Sequence, residues 1–261
     1  MLKPRRRSSA LAAGLATVAM IMGASAGPAQ ATVKTTYVAL GDSYAAGQGA
    51  GDYLDLCYRS ENSYAGLADA EKDVKLITNA ACSGKTTAEV VSTELGRLNP
   101  STELVTITAG GNDLDVGTIM VLCGASLGSP ACLQAIASAQ TLISSGELTS
   151  RVASMILAVK AAAPNAKIVV TGYPHLFAPA PGFPDQANLF VDGLNGSIFA
   201  AAMGTGAQYV DVSAAFTGHG IGSLDPWVNY TPLGTPTPDD FHPNAAGYRA
   251  YYSALLGAGV F

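Results

Sequence analysis

Residues 37–47 read Tyr37-Val-Ala-Leu-Gly-Asp-Ser-Tyr-Ala-Ala-Gly47. The apolar run from Tyr37 to Leu40 has the length of a short strand and breaks at Gly41, which puts Asp42 and Ser43 into the turn that follows. A buried strand that ends this way presents a hydroxyl at the rim of a sheet. A serine in a turn is ordinarily just a turn former, so its meaning depends on what else the chain brings to that rim.

Outward from this stretch, apolar runs of strand length recur at Thr35–Leu40, Val74–Thr78, Leu104–Thr108, Lys167–Thr171 and Gln208–Val212. Helical patterns lie between them. Thr86-Thr-Ala-Glu89 has the form of a capping box, followed by Ala88, Val91, Leu95 and Leu98 on one predicted helical face. Leu148, Val152, Met155, Ile156 and Val159 make another such face. A last helix is predicted from Pro243, burying Ala245, Tyr248, Tyr252 and Leu255. Strands that are apolar throughout and alternate with helices imply a parallel sheet covered on both faces. The predicted fold class is therefore α/β, a three-layer α/β/α sandwich on a five-stranded parallel sheet. The third crossover, 114–165, is long enough for more than one helix. Two stretches, 173–185 and 231–240, read as irregular.

The N-terminus reads as an export signal. Lys3, Arg5, Arg6 and Arg7 precede an apolar run from Ala10 to Gly23, and Ala29-Gln30-Ala31 has the form of a cleavage site. The expected organisation is a signal peptide over 1–31, suited to the general secretory route with the twin-arginine route as the alternative, and a single domain over 32–261 that acts outside the cell. Removing the signal takes away four of the 14 Lys and Arg and none of the 19 Asp and Glu, so the net charge moves from −5 to −9. That disfavours nucleic acid or an anionic membrane surface as a partner held by charge. No apolar run in the mature chain is long enough to span a membrane, and a monomer is expected.

The four cysteines are Cys57, Cys82, Cys123 and Cys132. None forms a Cys-x-x-Cys pair and no histidine lies at zinc-finger spacing, so no metal site is implied. In an exported chain two disulfides are expected. Of three connectivities, sequence order favours Cys57–Cys82 with Cys123–Cys132.

All strand carboxyl ends of a parallel sheet face one way, and ligands bind beyond them. The turns there carry Gly41-Asp42-Ser43, Asn79-Ala-Ala-Cys-Ser-Gly84 and Ala109-Gly110-Gly111-Asn112-Asp113. A long loop after the fifth strand ends in Asp239-Asp240-Phe241-His242-Pro243. Acyl transfer to a serine needs a base within reach of the hydroxyl and donors where the oxyanion forms. His242 is the base best placed by topology; His175 and His219 are open between surface and pocket positions. At the start of a helix His242 would be held neutral by the positive helix end. Asp239 lies close enough to orient its other nitrogen. The plain reading of the same residues is that Asp239 and Asp240 solvate a Pro-rich loop and His242 caps a helix. Rival motifs fit worse. Gly84-Lys85-Thr86 has the end of a phosphate loop but lacks its first glycine, and Ser43 lacks the Gly-x-Ser-x-Gly context.

Gly-Asp-Ser at 41–43, Gly84, Gly-x-Asn-Asp at 110–113 and Asp-x-x-His-Pro at 239–243 together resemble the four blocks of the SGNH (GDSL-type) hydrolases. They occur in order over nearly the whole mature chain. The composition and cysteine layout look most like the secreted actinobacterial lipases, esterases and phospholipases A of that family, although those often have a third disulfide. The resemblance implies a flavodoxin-like sheet with Ser43 as nucleophile and His242 as general base and acid. It implies an oxyanion hole from the N–H groups of Ser43 and Gly84 with the Asn112 amide, and no cofactor. Asp239 matches the His-orienting acid, but some secreted members use a main-chain carbonyl of this loop instead. The implied substrate is an acyl ester or lipid. The alternatives are a carbohydrate-ester deacetylase and a catalytically silent binding domain. Tyr44, Tyr173, Phe177 and Phe183 are candidate walls of an open, shallow acyl site without a helical lid.

Overall fold

Five parallel strands, β1 (Thr35–Gly41), β2 (Val74–Asn79), β3 (Leu104–Thr108), β4 (Lys167–Thr171) and β5 (Gln208–Val210), form one sheet in the order β2-β1-β3-β4-β5. They belong to a computed structural model that describes residues 34–70, 73–232 and 237–261. The expected signal over 1–31, the domain start at 32 and part of the 231–240 loop lie outside the described residues.

Among the described residues, eight helices accompany the sheet: α1 (Ser43–Ala46), α2 (Tyr64–Asp69), α3 (Thr87–Thr93), α4 (Val116–Ala125), α5 (Pro130–Ser144), α6 (Glu147–Ala162), α7 (Phe183–Thr205) and α8 (Ala245–Gly257). Helices α2 and α8 pack together on one side, and α3, α6 and α7 pack in series on the other. That is the layering right-handed crossovers require for this strand order. The order reverses between β1 and β3, and such a switch point is where an open sheet leaves a crevice. Ser43 follows β1 and Asn112 follows β3, so the two loops flank it.

The crossover after β3 holds three helices. Cys123 on α4 and Cys132 on α5 are bridged, as are Cys57 and Cys82, both in the expected pairing. Cys82 N–H donates to Gly41 O at 3.0 Å and Ser83 N–H to Cys57 O at 3.2 Å. The first bridge therefore holds the loop after β2 against the turn after β1.

Strand interiors are less uniformly apolar than their sequence suggests. Thr106, Thr108 and Thr171 are fully buried. They are satisfied by Tyr37 Oη (2.6 Å from Thr106), Tyr64 Oη (3.0 Å from Thr108) and Tyr251 Oη (2.6 Å from Thr171). Buried hydroxyls in such a network cost little because each has a partner.

Three local expectations change. The capping box forms at Thr86 and Glu89, but Asp113 holds Thr87 through its N–H (2.9 Å) and hydroxyl (2.8 Å). That register buries Thr87, Val90, Glu94 and Leu98 and leaves Ala88 exposed. The last helix begins at Ala245, because the Asn244 side chain accepts the N–H groups of Ala246 and Gly247. Its buried tyrosines are Tyr248 and Tyr251, while Tyr252 stacks on Phe261. Finally, the irregular segment after β4 stops at Gly182, where α7 starts with Pro184 in its first turn.

Candidate active site

Gly41 makes the geometry of the first loop possible. Its φ is +126°, and a Cβ there would lie 2.0 Å from the Thr108 carbonyl oxygen, so only glycine passes. The chain crosses the end of β3 here, with Asp42 N–H donating to that carbonyl at 2.9 Å. It then starts α1, where Asp42 Oδ1 caps Tyr44 N–H at 3.0 Å. Ser43 is the first residue of this helical turn, a position whose N–H has no intrahelical acceptor.

The His242 loop meets this turn. His242 Nε2 lies 2.8 Å from Ser43 Oγ. Its Nδ1 lies 2.9 Å from the main-chain oxygen of Asp240. Phe241, between them, has φ +64°, a left-handed conformation uncommon for a bulky residue, and this bend turns the Asp240 carbonyl toward the ring. Several contacts hold the bend. Phe241 O accepts Tyr44 Oη at 2.5 Å, and Phe241 N–H donates to Asn229 O at 2.8 Å. The Asp240 carboxylate accepts the hydroxyls of Thr231 (2.9 Å) and Thr237 (3.0 Å).

The Asp239 carboxylate, expected to orient His242, accepts the Tyr53 hydroxyl instead. Its main-chain oxygen accepts the His242 N–H at 3.2 Å, so Asp239 shapes the turn while the neighbouring carbonyl faces the ring. The helix-dipole expectation also changes. His242 lies three residues before α8, and burial, partly opposed by the Asp240 carbonyl, lowers its pKa to about 4.

Asn112 lines the same cavity as Ser43 and His242. Its Nδ2 donates to Lys85 O at 3.0 Å, and one amide hydrogen remains for another acceptor. The neighbouring Asp113 is the residue that holds the start of α3, which fixes this loop. Gly84, φ +81°, is exposed and is not among the cavity-lining residues. It sits between Cys82, bonded to Gly41, and Lys85, bonded to Asn112.

Three residues whose linking role the sequence did not show connect these loops. Tyr173 Oη accepts Gly111 N–H at 3.1 Å and donates to Asp42 Oδ2, tying the serine turn to the asparagine loop; the sequence offered Tyr173 only as an apolar wall. Gln48 donates to Pro238 O and accepts Ser83 Oγ at 2.6 Å, tying the Gly84 loop to the histidine loop. Glu94 accepts Gly41 N–H at 2.8 Å. The carbonyl facing His242 Nδ1 is that of Asp240, the main-chain alternative to Asp239 that the sequence left open. Burial raises the Asp42 carboxyl to about 7 despite its Tyr173 and Tyr44 partners, and burial raises Glu94 to about 8.

The cavity over Ser43 has a volume of about 140 Å³. Tyr44 and Tyr173 form part of its wall as expected, with Met120, Phe190 and Leu194. Phe177 packs instead against Phe183 and Phe241, and Phe183 lines a neighbouring groove. His175 pairs with Asp192 at 2.7 Å and His219 stacks on Trp227. Neither lines this cavity. Among the described residues no group of three or more His, Cys, Asp or Glu is arranged to hold a metal ion.

A serine and a neutral imidazole in hydrogen-bond contact, with an amide donor in the same cavity, is a constellation for acyl transfer. The sequence profile of the GDSL-like lipase/acylhydrolase family matches residues 39–250. The chain belongs to that family. This ester hydrolase is 35% identical to Lipase 1 of Streptomyces coelicolor over 262 residues, covering 95% of this chain and 94% of that protein. Its fold matches the crystal structure of an extracellular lipase from Streptomyces rimosus with a TM-score of 0.78 and 34% identity. It also matches phospholipase A1 from Streptomyces albidoflavus NA297 with a TM-score of 0.76 and 35% identity. Each alignment covers 86% of this chain and 99% of the solved chain. The fold thus agrees with the predicted three-layer sandwich on a five-stranded parallel sheet.

Proposed function

We propose that this GDSL-family hydrolase is an exported serine esterase that cleaves lipid or other acyl esters through an acyl-enzyme on Ser43. The observation that carries the proposal is the 2.8 Å contact between Ser43 Oγ and His242 Nε2. His242 removes the Ser43 proton as Oγ attacks the ester carbonyl carbon. The carbonyl oxygen becomes an oxyanion facing the Ser43 N–H and the Asn112 amide. His242 then protonates the leaving alkoxide as the C–O bond breaks. Water, deprotonated by the same nitrogen, attacks the acyl-enzyme and releases the acid and Ser43.

In this mechanism the Asp240 carbonyl fixes the tautomer, because an acceptor at Nδ1 requires the proton there and leaves Nε2 as the base. Asp239 acts at a remove, by anchoring the loop to Tyr53. Export is supported by the N-terminal pattern, the two disulfides and the extracellular lipase it resembles. No metal or organic cofactor takes part, and the protein acts as a monomer.

The test is hydrolysis of p-nitrophenyl butyrate by wild type, Ser43→Ala and Asn112→Ala. Wild-type turnover, with none above background in Ser43→Ala and a loss of about 10²–10³ in kcat for Asn112→Ala, is expected. Undiminished turnover in Ser43→Ala would defeat the proposal. Phospholipase A activity is the second reading, favoured by the 35% identity with the Streptomyces albidoflavus enzyme, and a diacylphospholipid assay decides it. The apolar wall of Met120, Phe190 and Leu194 disfavours an acetylated carbohydrate.

A further inference from the structure

Ser43 and His242 stand 199 positions apart in the chain, so their contact depends on how two distant segments are pressed together. The histidine side is backed by residues 227–229. Asn244 N–H donates to Trp227 O, Asn229 N–H to His242 O and Phe241 N–H to Asn229 O, each at 2.8 Å. Val228 and Pro243 form an antiparallel bridge within this ladder. The serine side runs through α1 to Gln48, whose N–H returns to Ser43 O at 3.0 Å, and then to Gly49. A Cβ on Gly49 would lie 2.7 Å from Asn229 Nδ2 and 2.9 Å from His242 Cβ, and its φ is +93°. Only glycine lets the two backbones come this close.

Asn229 spans the junction. Its Nδ2 donates to Gly49 O at 3.0 Å and to His242 O at 3.2 Å. Both acceptors are carbonyl oxygens, so the carboxamide must turn its nitrogen toward them. The two hydrogens of one NH2 group thus join the main chain of the base to the chain leaving the nucleophile's turn. Ties from Tyr44, Tyr53 and Gln48 end on Phe241, Asp239 and Pro238. The tie from Asn229 ends on His242 itself.

We infer that Asn229 is a positioning residue of the Ser43–His242 pair, its carboxamide setting the distance at which Nε2 meets Oγ. The inference rests on the acyl-enzyme reading above and adds a residue that does not line the catalytic cavity. A misplacement of about 1 Å between reacting groups costs on the order of 10²-fold in rate. A histidine loop held only through its neighbours is open to that error.

The test measures kcat and KM for p-nitrophenyl butyrate in wild type, Asn229→Asp and Asn229→Ala from pH 5 to 8, with Tm in parallel. Aspartate keeps the size of the side chain but sets an oxygen against two carbonyl oxygens, whereas alanine only removes the tie. A role in packing alone would make alanine the worse substitution. Positioning makes aspartate the worse one at pH 8, with kcat down about 10²-fold against about tenfold for alanine. KM should stay within about twofold of wild type in both, since no cavity wall is altered. Toward pH 5 the introduced carboxyl, half-buried among oxygens, takes up a proton and regains one donor. The ratio of Asn229→Asp to wild-type kcat should therefore rise severalfold. Tyr53, Asp239, Asp240 and His242, the ionisable groups on the two loops, are common to both proteins and cancel in that ratio. Turnover near wild type in both variants would overturn the inference, as would alanine being the worse substitution or a ratio flat with pH. Loss of the fold in both would also overturn it, because Asn229 would then hold the domain rather than the pair. Absence of butyrate turnover in wild type would instead strike the acyl-enzyme reading itself.

Discussion

His242 Nδ1 faces the main-chain carbonyl of Asp240 at 2.9 Å, while the Asp239 carboxylate accepts a hydrogen bond from Tyr53. A carbonyl two residues upstream can hold a neutral imidazole in the right tautomer, but it offers an imidazolium less than a carboxylate would. Orientation and charge stabilisation are therefore separated in this site. Asp239→Asn should lower kcat less than about tenfold, because the acceptor at Nδ1 belongs to the backbone. Loss of roughly 10⁴, the scale seen when a triad carboxylate fixes the tautomer, would show that the carboxylate does that work.

Burial lowers the His242 pKa from 6.5 to about 4. Its base form is consequently present well below neutrality. The acid limb of kcat/KM for a short-chain ester should lie near pH 4, and a limb near 6.5 would contradict the enclosed environment. The same shift affects stability. The unfolded chain takes up this proton below about 6.5 and the folded chain only near 4, so the contribution of His242 is lost as pH falls through that window.

Glu94 and Asp42 act in the opposite direction. Burial raises them to about 8 and about 7, and the buried Glu94 Oε1 has no partner. The folded chain therefore holds these protons more tightly than the unfolded one, and stability falls as pH rises from about 4 toward 8. Glu94→Gln should flatten that decline in a Tm series over pH 5–8. A domain of this size shifts by about 2–4 °C per kcal/mol, so the difference is measurable. An unchanged slope would mean that Glu94 titrates as it does in the unfolded chain.

Tyr173→Phe removes the hydroxyl that links Gly111 N–H to Asp42 Oδ2 and leaves both without it. The serine turn and the Asn112 loop then lose their direct connection. We expect kcat on a butyrate ester to fall tenfold or more with KM nearly unchanged, since the ring still lines the cavity. A rise in KM with kcat preserved would assign Tyr173 to substrate packing alone.

The strands were legible because each is a short buried run closed by Gly, Asn or another turn former, and crossover handedness put helices on both faces of the sheet; the order of the strands came from the structure. The positions of Ser43, Asn112 and His242 followed from strand ends. What the sequence hid was carried by single hydrogen bonds across long separations. Nothing in the spacing of Gln48 marks it as the tie between Ser83 and Pro238. The carbonyl of Asp240 has no sequence signature at all, because every residue has one. Glu94 lies off the predicted apolar face of its helix, and the register set by Asp113 turns it inward. The aromatic wall was half right for a related reason. Tyr44 and Tyr173 sit next to strand ends, whereas Phe177 and Phe183 are placed by where α7 begins.

The central claim is that Ser43 is acylated during turnover. A fluorophosphonate probe with intact-mass measurement and peptide mapping addresses it directly. The account predicts one adduct per chain, on the peptide containing Ser43, formed at a rate that falls sharply in a His242→Ala variant. A folded wild-type protein that hydrolyses esters yet carries no adduct, or carries it on another residue, would contradict it.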